Sequence, residues 1–202
     1  MLITTETKHS EKIKLLIEEA CVCGLGSIEA IPIEVRMIVR IADAAKRALS
    51  LDEIKDICAI CKCSEEAIVM LIEESPVMIA SASALLLHKQ PELIEPGGEL
   101  WPEHRAVACW RDCEQFLRVV TYGVACNCAA ITDKAGIKAL AELYAILRVP
   151  VKALLCVLAE LRIRSVDRLR RSGFESESKC AEDAFNDLID ALNLQHLRLF
   201  EG

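Results

Sequence analysis

The sequence predicts an all-α protein, and three observations carry that expectation. Hydrophobic residues make up 53% of the 202-residue chain while aromatics make up only 4%, so the core has to be built from Ala, Leu, Ile, Val and Cys. Eight glycines and six prolines are few for a fold of many turns, and the balance favours helices over strands. Apolar residues recur at three- and four-residue steps, and no stretch reads as a strand.

Ser, Gly and Pro set the limits of the expected elements. An amphipathic helix over about 9–22 carries Ile13, Leu16, Ile17 and Ala20 on one face, and Gly24 and Gly26 stop it. A second helix covers about 33–48. Ser50 followed by Glu53 is a capping box for a short third helix. Ser64 caps a long helix to about 88, with Pro76 bending or interrupting it. Residues 91–98 read as a loop. Pro102 suits the first position of a helix to about 125, because its missing N–H is not needed there. Thr132 caps 133–147. Val149 precedes Pro150 and so avoids the α region, which forces a boundary before a helix over 150–170. A polar loop around 173–178 and a closing helix to about 194 complete the chain.

The length suits one domain with a sizeable core. A net charge of −7 argues against nucleic acid as a main partner. No uncharged apolar run reaches the length of a membrane span; the most apolar stretch, 140–161, is broken by Glu142, Arg148, Pro150, Lys152 and Glu160. No charged-then-apolar leader opens the chain, so a cytoplasmic, reducing location is expected. The basic run Arg162, Arg164, Arg168, Arg170 and Arg171 reads as a solvated helix face or a surface for acidic neighbours. No paired carboxylates, triad or phosphate loop point to an enzyme.

Eleven cysteines are an odd number and a poor disulfide framework. Cys21 and Cys23 flank one valine, Cys58, Cys61 and Cys63 form C-x-x-C-x-C, and Cys126 and Cys128 flank Asn127. Thiolates are soft ligands, so such clusters can hold zinc or an iron–sulfur cluster. Free cysteine also behaves as a small buried hydrophobe. Both readings stand at this point.

The densest chemistry lies in 91–124. Arg105, Cys109, Asp112 and Cys113 fall three to four apart and share a helical face, while Arg111 points away from it. A thiol beside cations and a carboxylate suits covalent capture of an anionic, N–H-bearing ligand. Pro96-Gly97-Gly98, then Cys109-Trp110-Arg111-Asp112, then Phe116-Leu117-Arg118 and Val120-Thr121-Tyr122-Gly123 resemble the chromophore region of phycobiliproteins, the globin-like bilin carriers of phycobilisome antennae. The family pattern there is PGGNAY, paired arginines, C-x-R-D and LR-x-x-TY. Val39 to Ala44, Leu49-Ser50, Gln90 to Ile94, Leu143-Tyr144 and Val149-Pro150 extend the resemblance over about 29–196. It implies a globin-like domain over 29–202, preceded by an extension over 1–28 that reads as one helix.

The resemblance implies roles as well as a fold. Cys109 would form a thioether to the first ring of a linear tetrapyrrole of the phycocyanobilin type; by itself it reads as a buried helix cysteine. Asp112 would accept hydrogen bonds from the pyrrole nitrogens, the alternative being a surface carboxylate paired with Arg105 or Arg111. Arg105 and Arg111 would hold the two propionates, for which a guanidinium fork is well shaped. Cys180 lies at about the distance of the second attachment cysteine of β-type chains. Asp43 and Arg118 resemble an ion pair between subunits, and Tyr122 an interface tyrosine; alternatively the pair is exposed and worth less than about 1 kcal/mol. Phycobiliprotein subunits and a bilin attachment enzyme are the implied partners, in the cytoplasm or at the cytoplasmic face of the thylakoid membrane. Glu99 stands where the pattern has asparagine, His104 replaces the first paired arginine, Trp101 replaces the tyrosine, and Cys126-Asn127-Cys128 replaces glycine-aspartate. These departures suggest a divergent or allophycocyanin-like member. The competing functions are an unpigmented assembly or regulatory protein of the antenna and a thiol- or metal-binding protein.

Overall fold

A computed structural model describes residues 5–200. Among the described residues the chain forms α1 (Thr5–Glu19), α2 (Ile33–Ala44), α3 (Leu51–Cys61), α4 (Glu65–Lys89), α5 (Glu103–Ala125), α6 (Lys134–Leu147), α7 (Val151–Arg171) and α8 (Glu175–Phe200), with short 3-10 turns at Leu25–Ser27 and Pro91–Ile94. This is the all-α, globin-like architecture that the sequence predicts.

The helix limits have local causes. α2 ends at Ala44 because Lys46 turns left-handed at φ 51° and the Arg47 N–H returns to the Ala42 carbonyl. The capping box before α3 forms as expected. The Ser50 hydroxyl accepts from the Glu53 N–H, and the Glu53 carboxylate accepts from the Ser50 N–H at 2.8 Å. Arg47 adds a two-pronged contact to the same carboxylate, both prongs at 2.7 Å, and this fork holds the Glu53 carboxyl down to about 2. α4 starts from the Ser64 cap and continues through Pro76 without ending there. Pro102 sits one position before α5, as its N-cap.

Several boundaries differ from the expectation: α1 spans Thr5–Glu19 instead of about 9–22, and α2 ends at Ala44 instead of about 48. Asp133, not Thr132, caps α6, accepting from the Gly136 N–H at 2.7 Å. Thr132 is committed elsewhere: it bridges Cys23, and its N–H donates to Asp187 at 3.0 Å. The loop near 173 is shorter than expected, because Gly173 at φ 85° closes the turn and α8 begins at Glu175, with Ser178 buried and donating to the Val166 carbonyl. α8 also runs on to Phe200.

α5 is the central element. Phe116, Leu117, Val119, Val120, Tyr122 and Val124 are buried along it, and it packs against α3, α4, α7 and α8. α4 has the length and apolar composition of a membrane-crossing helix, but it lies against α5 and α7 with Ala67, Ile68, Leu71, Met78, Ile79, Ala82 and Leu86 in the core. Packing accounts for part of its apolarity, since 33% of its most apolar stretch is buried. The basic run of α7 is matched by acidic neighbours: Arg164 pairs with Glu160, Arg168 with Glu74 and Arg171 with Asp167.

The segment before residue 29 is docked on the body. Leu16 of α1 packs with Ala139 and Leu143 of α6. The following chain is stitched by backbone bonds from Gly24 to Ile131 at 2.7 Å and from Asp133 to Val22 at 2.9 Å, and Leu25 is fully buried in the main core. Gly136 makes this approach possible, because a Cβ there would lie 1.7 Å from the Cys21 carbonyl oxygen.

Candidate functional site

The first turns of α5, the end of α6 and the Val149-Pro150 turn enclose a cavity of about 200 Å³. His104, Arg105, Ala108, Cys109 and Asp112 line it from α5, and Leu147, Val149 and Pro150 form the apolar wall opposite. Three residues singled out in the sequence, Arg105, Cys109 and Asp112, therefore meet at one cavity. Arg111 is exposed and lies outside its lining, and Cys180 also lies outside it.

Each member has a defined environment. Cys109 is buried, at 3% exposure. Cys113, one turn further on, is fully buried, and its thiol is pushed well up by its hydrogen bond to Cys109 and by burial. Asp112 accepts a hydrogen bond from the Tyr144 hydroxyl at 2.8 Å. Burial pushes the Asp112 carboxyl above the usual carboxylate range, opposed by the Tyr144 bond and by the Arg111 charge. Burial also raises the Tyr144 phenol, and the Asp112 charge raises it further, so Tyr144 stays protonated and donates. The Arg105 guanidinium donates to three carbonyls: Glu99 at 2.9 Å, Leu147 at 3.4 Å and Arg148 at 2.6 Å. It thereby ties the start of α5 to the end of α6.

A second cavity, of about 560 Å³, lies on the other side of Val149-Pro150 and is lined by Glu99, Tyr144, Arg148, Lys152 and His196 among others. Tyr144 thus belongs to one cavity while its hydroxyl reaches a residue of the other. Its role was not visible in the sequence, where Leu143-Tyr144 served only to extend the family resemblance along a helix. The available signal was rarity: the chain has two tyrosines, and both are buried with a charged partner.

The other constellation closes within one chain. Arg118 pairs with Asp43 at 2.8 Å, donates to the Tyr122 hydroxyl at 2.6 Å and lies over that ring, its guanidinium carbon 5.1 Å from the centroid. Tyr122 in turn donates to the Arg47 carbonyl. Asp43 and Arg118 side chains are 12% and 9% exposed, so this is a buried pair and not the exposed one considered from sequence. In this single chain the Asp43 carboxylate of α2 faces Arg118 of α5.

Cys180 lies on α8 against the Gly123 carbonyl, with its sulfur at 3.7 Å from that oxygen, and burial raises its thiol to about 12. Among the described residues, no group of three or more His, Cys, Asp or Glu side chains has the arrangement of a metal site.

Comparison with known proteins gives the family. The family model described as phycobilisome protein matches residues 37–192. The chain is 33% identical over 115 residues to an allophycocyanin alpha chain of Cyanophora paradoxa, covering 55% of this chain and 71% of that one. It is 30% identical over 123 residues to an allophycocyanin subunit alpha-B of a Nostoc species, covering 61% and 74%. Over a shorter span of 73 residues it is 41% identical to a C-phycocyanin-2 beta subunit of Microchaete diplosiphon, covering 36% and 42%. With the matched region spanning most of a helical body built around α5, this chain belongs to the phycobilisome protein family.

Proposed function

We infer that the chain carries a linear tetrapyrrole of the phycocyanobilin type through a thioether at Cys109, for light harvesting, energy transfer or light sensing. The observation that carries this reading is the convergence of Cys109, Asp112 and Arg105 on one cavity with an apolar far wall. That donor set fits the group: a sulfur to attach it, a carboxylate for its ring N–H groups, and a cation at the rim for a propionate. When bound, the bilin would supply absorption of visible light.

The chain's own residues orient and restrain such a ligand. Asp112, held by Tyr144, offers its other lone pairs to the pyrrole nitrogens, and hydrogen bonds to a charged acceptor are worth about 1.5–3 kcal/mol each. Leu147, Val149 and Pro150 exclude water from the opposite side. Arg105 would exchange a carbonyl partner for a propionate, and exposed Arg111 would take a propionate from outside the cavity. Cys180 is a second attachment candidate, half-buried with its thiol directed at the Gly123 carbonyl.

Association with other phycobiliprotein subunits fits the surface. Ile33, Met37 and Ile41 are four residues apart on α2 and exposed at 54%, 47% and 57%, an apolar stripe opposite the face that Val35 and Val39 bury. The Asp43–Arg118–Tyr122 network would hold α2 in place for that contact. A setting in the cytoplasm, at the thylakoid surface, follows from membership of the antenna. Co-expression with a bilin-producing pathway and attachment enzymes, read by absorbance, tests the reading: a coloured protein is expected, and a colourless one of native fold would favour an unpigmented assembly role.

A further inference from the structure

Cysteines from three separate stretches of sequence gather at the junction of α3, α4, the end of α5 and α8. Their mutual effects show it: the Cys61 thiol is raised by burial and then by Cys58 and Cys128, and the Cys180 thiol by burial and then by Cys128. Within this group one pair is set apart by distance. The Cys63 sulfur lies 3.1 Å from the Cys58 sulfur and 2.9 Å from the Ala125 carbonyl oxygen.

The backbone creates this approach. α3 ends at Cys61, and Lys62 turns left-handed at φ 61° with its N–H returned to the Cys58 carbonyl. That turn carries Cys63 back over the last turn of α3, onto Cys58. Ser64 then caps α4, and its N–H is held by Glu177 of α8 at 2.7 Å. Both flanks of Cys63 are thus fixed. Cys58 is buried at 4% exposure, while Cys63 is only partly covered.

We propose that Cys58 and Cys63 form a dithiol modification site that takes a small-molecule disulfide of the glutathione class as its co-reactant. The more accessible Cys63, as thiolate, attacks one sulfur of the disulfide, whose S–S bond breaks and releases one thiolate. The Cys58 thiolate then attacks the Cys63 sulfur of the mixed disulfide, forming Cys58–Cys63 and releasing the second thiolate. The two protons lost by the cysteines end on the two released thiols, so the pair is oxidised by two electrons and the co-reactant is reduced by two. Burial raises both thiols, and the hydrogen bond from Cys63 to Cys58 raises Cys63 further while lowering Cys58, so attack by the accessible Cys63 is slow at neutral pH and faster in mild alkali. Closure also removes the S–H that faces the Ala125 carbonyl, at the end of the helix that begins with the Cys109 cavity.

The test uses the full chain without pigment, so it is independent of the bilin reading. The reduced protein is equilibrated in buffers of rising glutathione disulfide to glutathione ratio, alkylated, cut with trypsin and mapped by mass spectrometry. Lys62 lies between the two cysteines, so a cut after it leaves them on separate peptides unless they are bonded. The Cys58–Cys63 linked pair is expected as the first species, with free thiols falling from the eleven in the sequence to nine. Cys58→Ser should leave Cys63 as a glutathione adduct, and Cys63→Ser should leave Cys58 reduced. If a variant fails to fold, the wild-type map alone decides. Cys58 or Cys63 bonding first to Cys61 or Cys128, both staying alkylatable while other thiols oxidise, or both being protected by zinc retained in the purified protein would each overturn the proposal.

Discussion

The Tyr144 hydroxyl donates to the Asp112 carboxylate at 2.8 Å, joining the last turn of α6 to the helix that carries Cys109. This bond holds one oxygen of a carboxylate whose other lone pairs face the cavity. Tyr144 is therefore a positioning residue for the candidate site. Tyr144→Phe removes the donor and keeps the ring. It should leave Cys109 available for attachment, while the absorption band broadens or shifts and fluorescence falls. Zinc-stained denaturing gels beside spectra of the same samples check this: equal label with an unchanged spectrum would remove the role given to Tyr144.

Asp112→Asn should act in opposite directions with and without pigment. In the pigmented protein the amide is a weaker, uncharged acceptor, so the band should weaken or shift. In the pigment-free protein burial raises the Asp112 carboxyl, so ionising it costs more in the fold than in the unfolded chain. A raised carboxyl contributes stability that is full below the unfolded value, about 3.9, and is lost as pH rises through the folded one. Thermal melts of the pigment-free protein should therefore show a smaller loss of stability between pH 4 and pH 7 for Asp112→Asn than for wild type. An unchanged or larger loss would contradict the burial argument.

Asp43→Ala should destabilise the isolated chain. Its partner Arg118 is largely covered and would lose its carboxylate while keeping the Gln115 and Tyr122 oxygens as acceptors; losing a hydrogen bond to a charged group costs about 1.5–3 kcal/mol. Urea unfolding at low protein concentration measures this apart from any subunit contact. A loss below about 1 kcal/mol, paired with weakened association in sedimentation, would mean that the pair works between chains and not within one.

Gly136→Ala tests how the N-terminal segment is held. The added methyl would collide with the Cys21 backbone, and overpacking of this kind costs about 1–3 kcal/mol. Proteolysis should then cut first near residues 19–24, while α5 to α8 stay protected. Unchanged resistance would mean that the segment does not depend on this close approach.

The fold and the site were legible to different depths. The capping box at Ser50 and Glu53, the Ser64 cap and the Val149-Pro150 boundary could be read because each depends on a few adjacent residues. Thr132 misled because its competing partners, Cys23 and Asp187, are distant in sequence. Arg105, Cys109 and Asp112 share a cavity because they share a helix face, which spacing shows. The wall opposite, Leu147 to Pro150, and the Tyr144 donor come from another helix, and only the packing of α6 on the body brings them there. The in-chain closure of Asp43 on Arg118 was hidden for the same reason: spacing gives two charges and does not say whether they meet in one chain or two.

The central claim is attachment at Cys109, and one gel measures it. Wild type, Cys109→Ala and Cys109→Ala/Cys180→Ala are each co-expressed with a bilin-producing pathway and attachment enzymes, denatured, and stained with zinc. The account predicts fluorescent wild type and loss of the band in Cys109→Ala, with a weaker band surviving only if Cys180 carries a second bilin and vanishing in the double variant. Undiminished fluorescence in Cys109→Ala would contradict it.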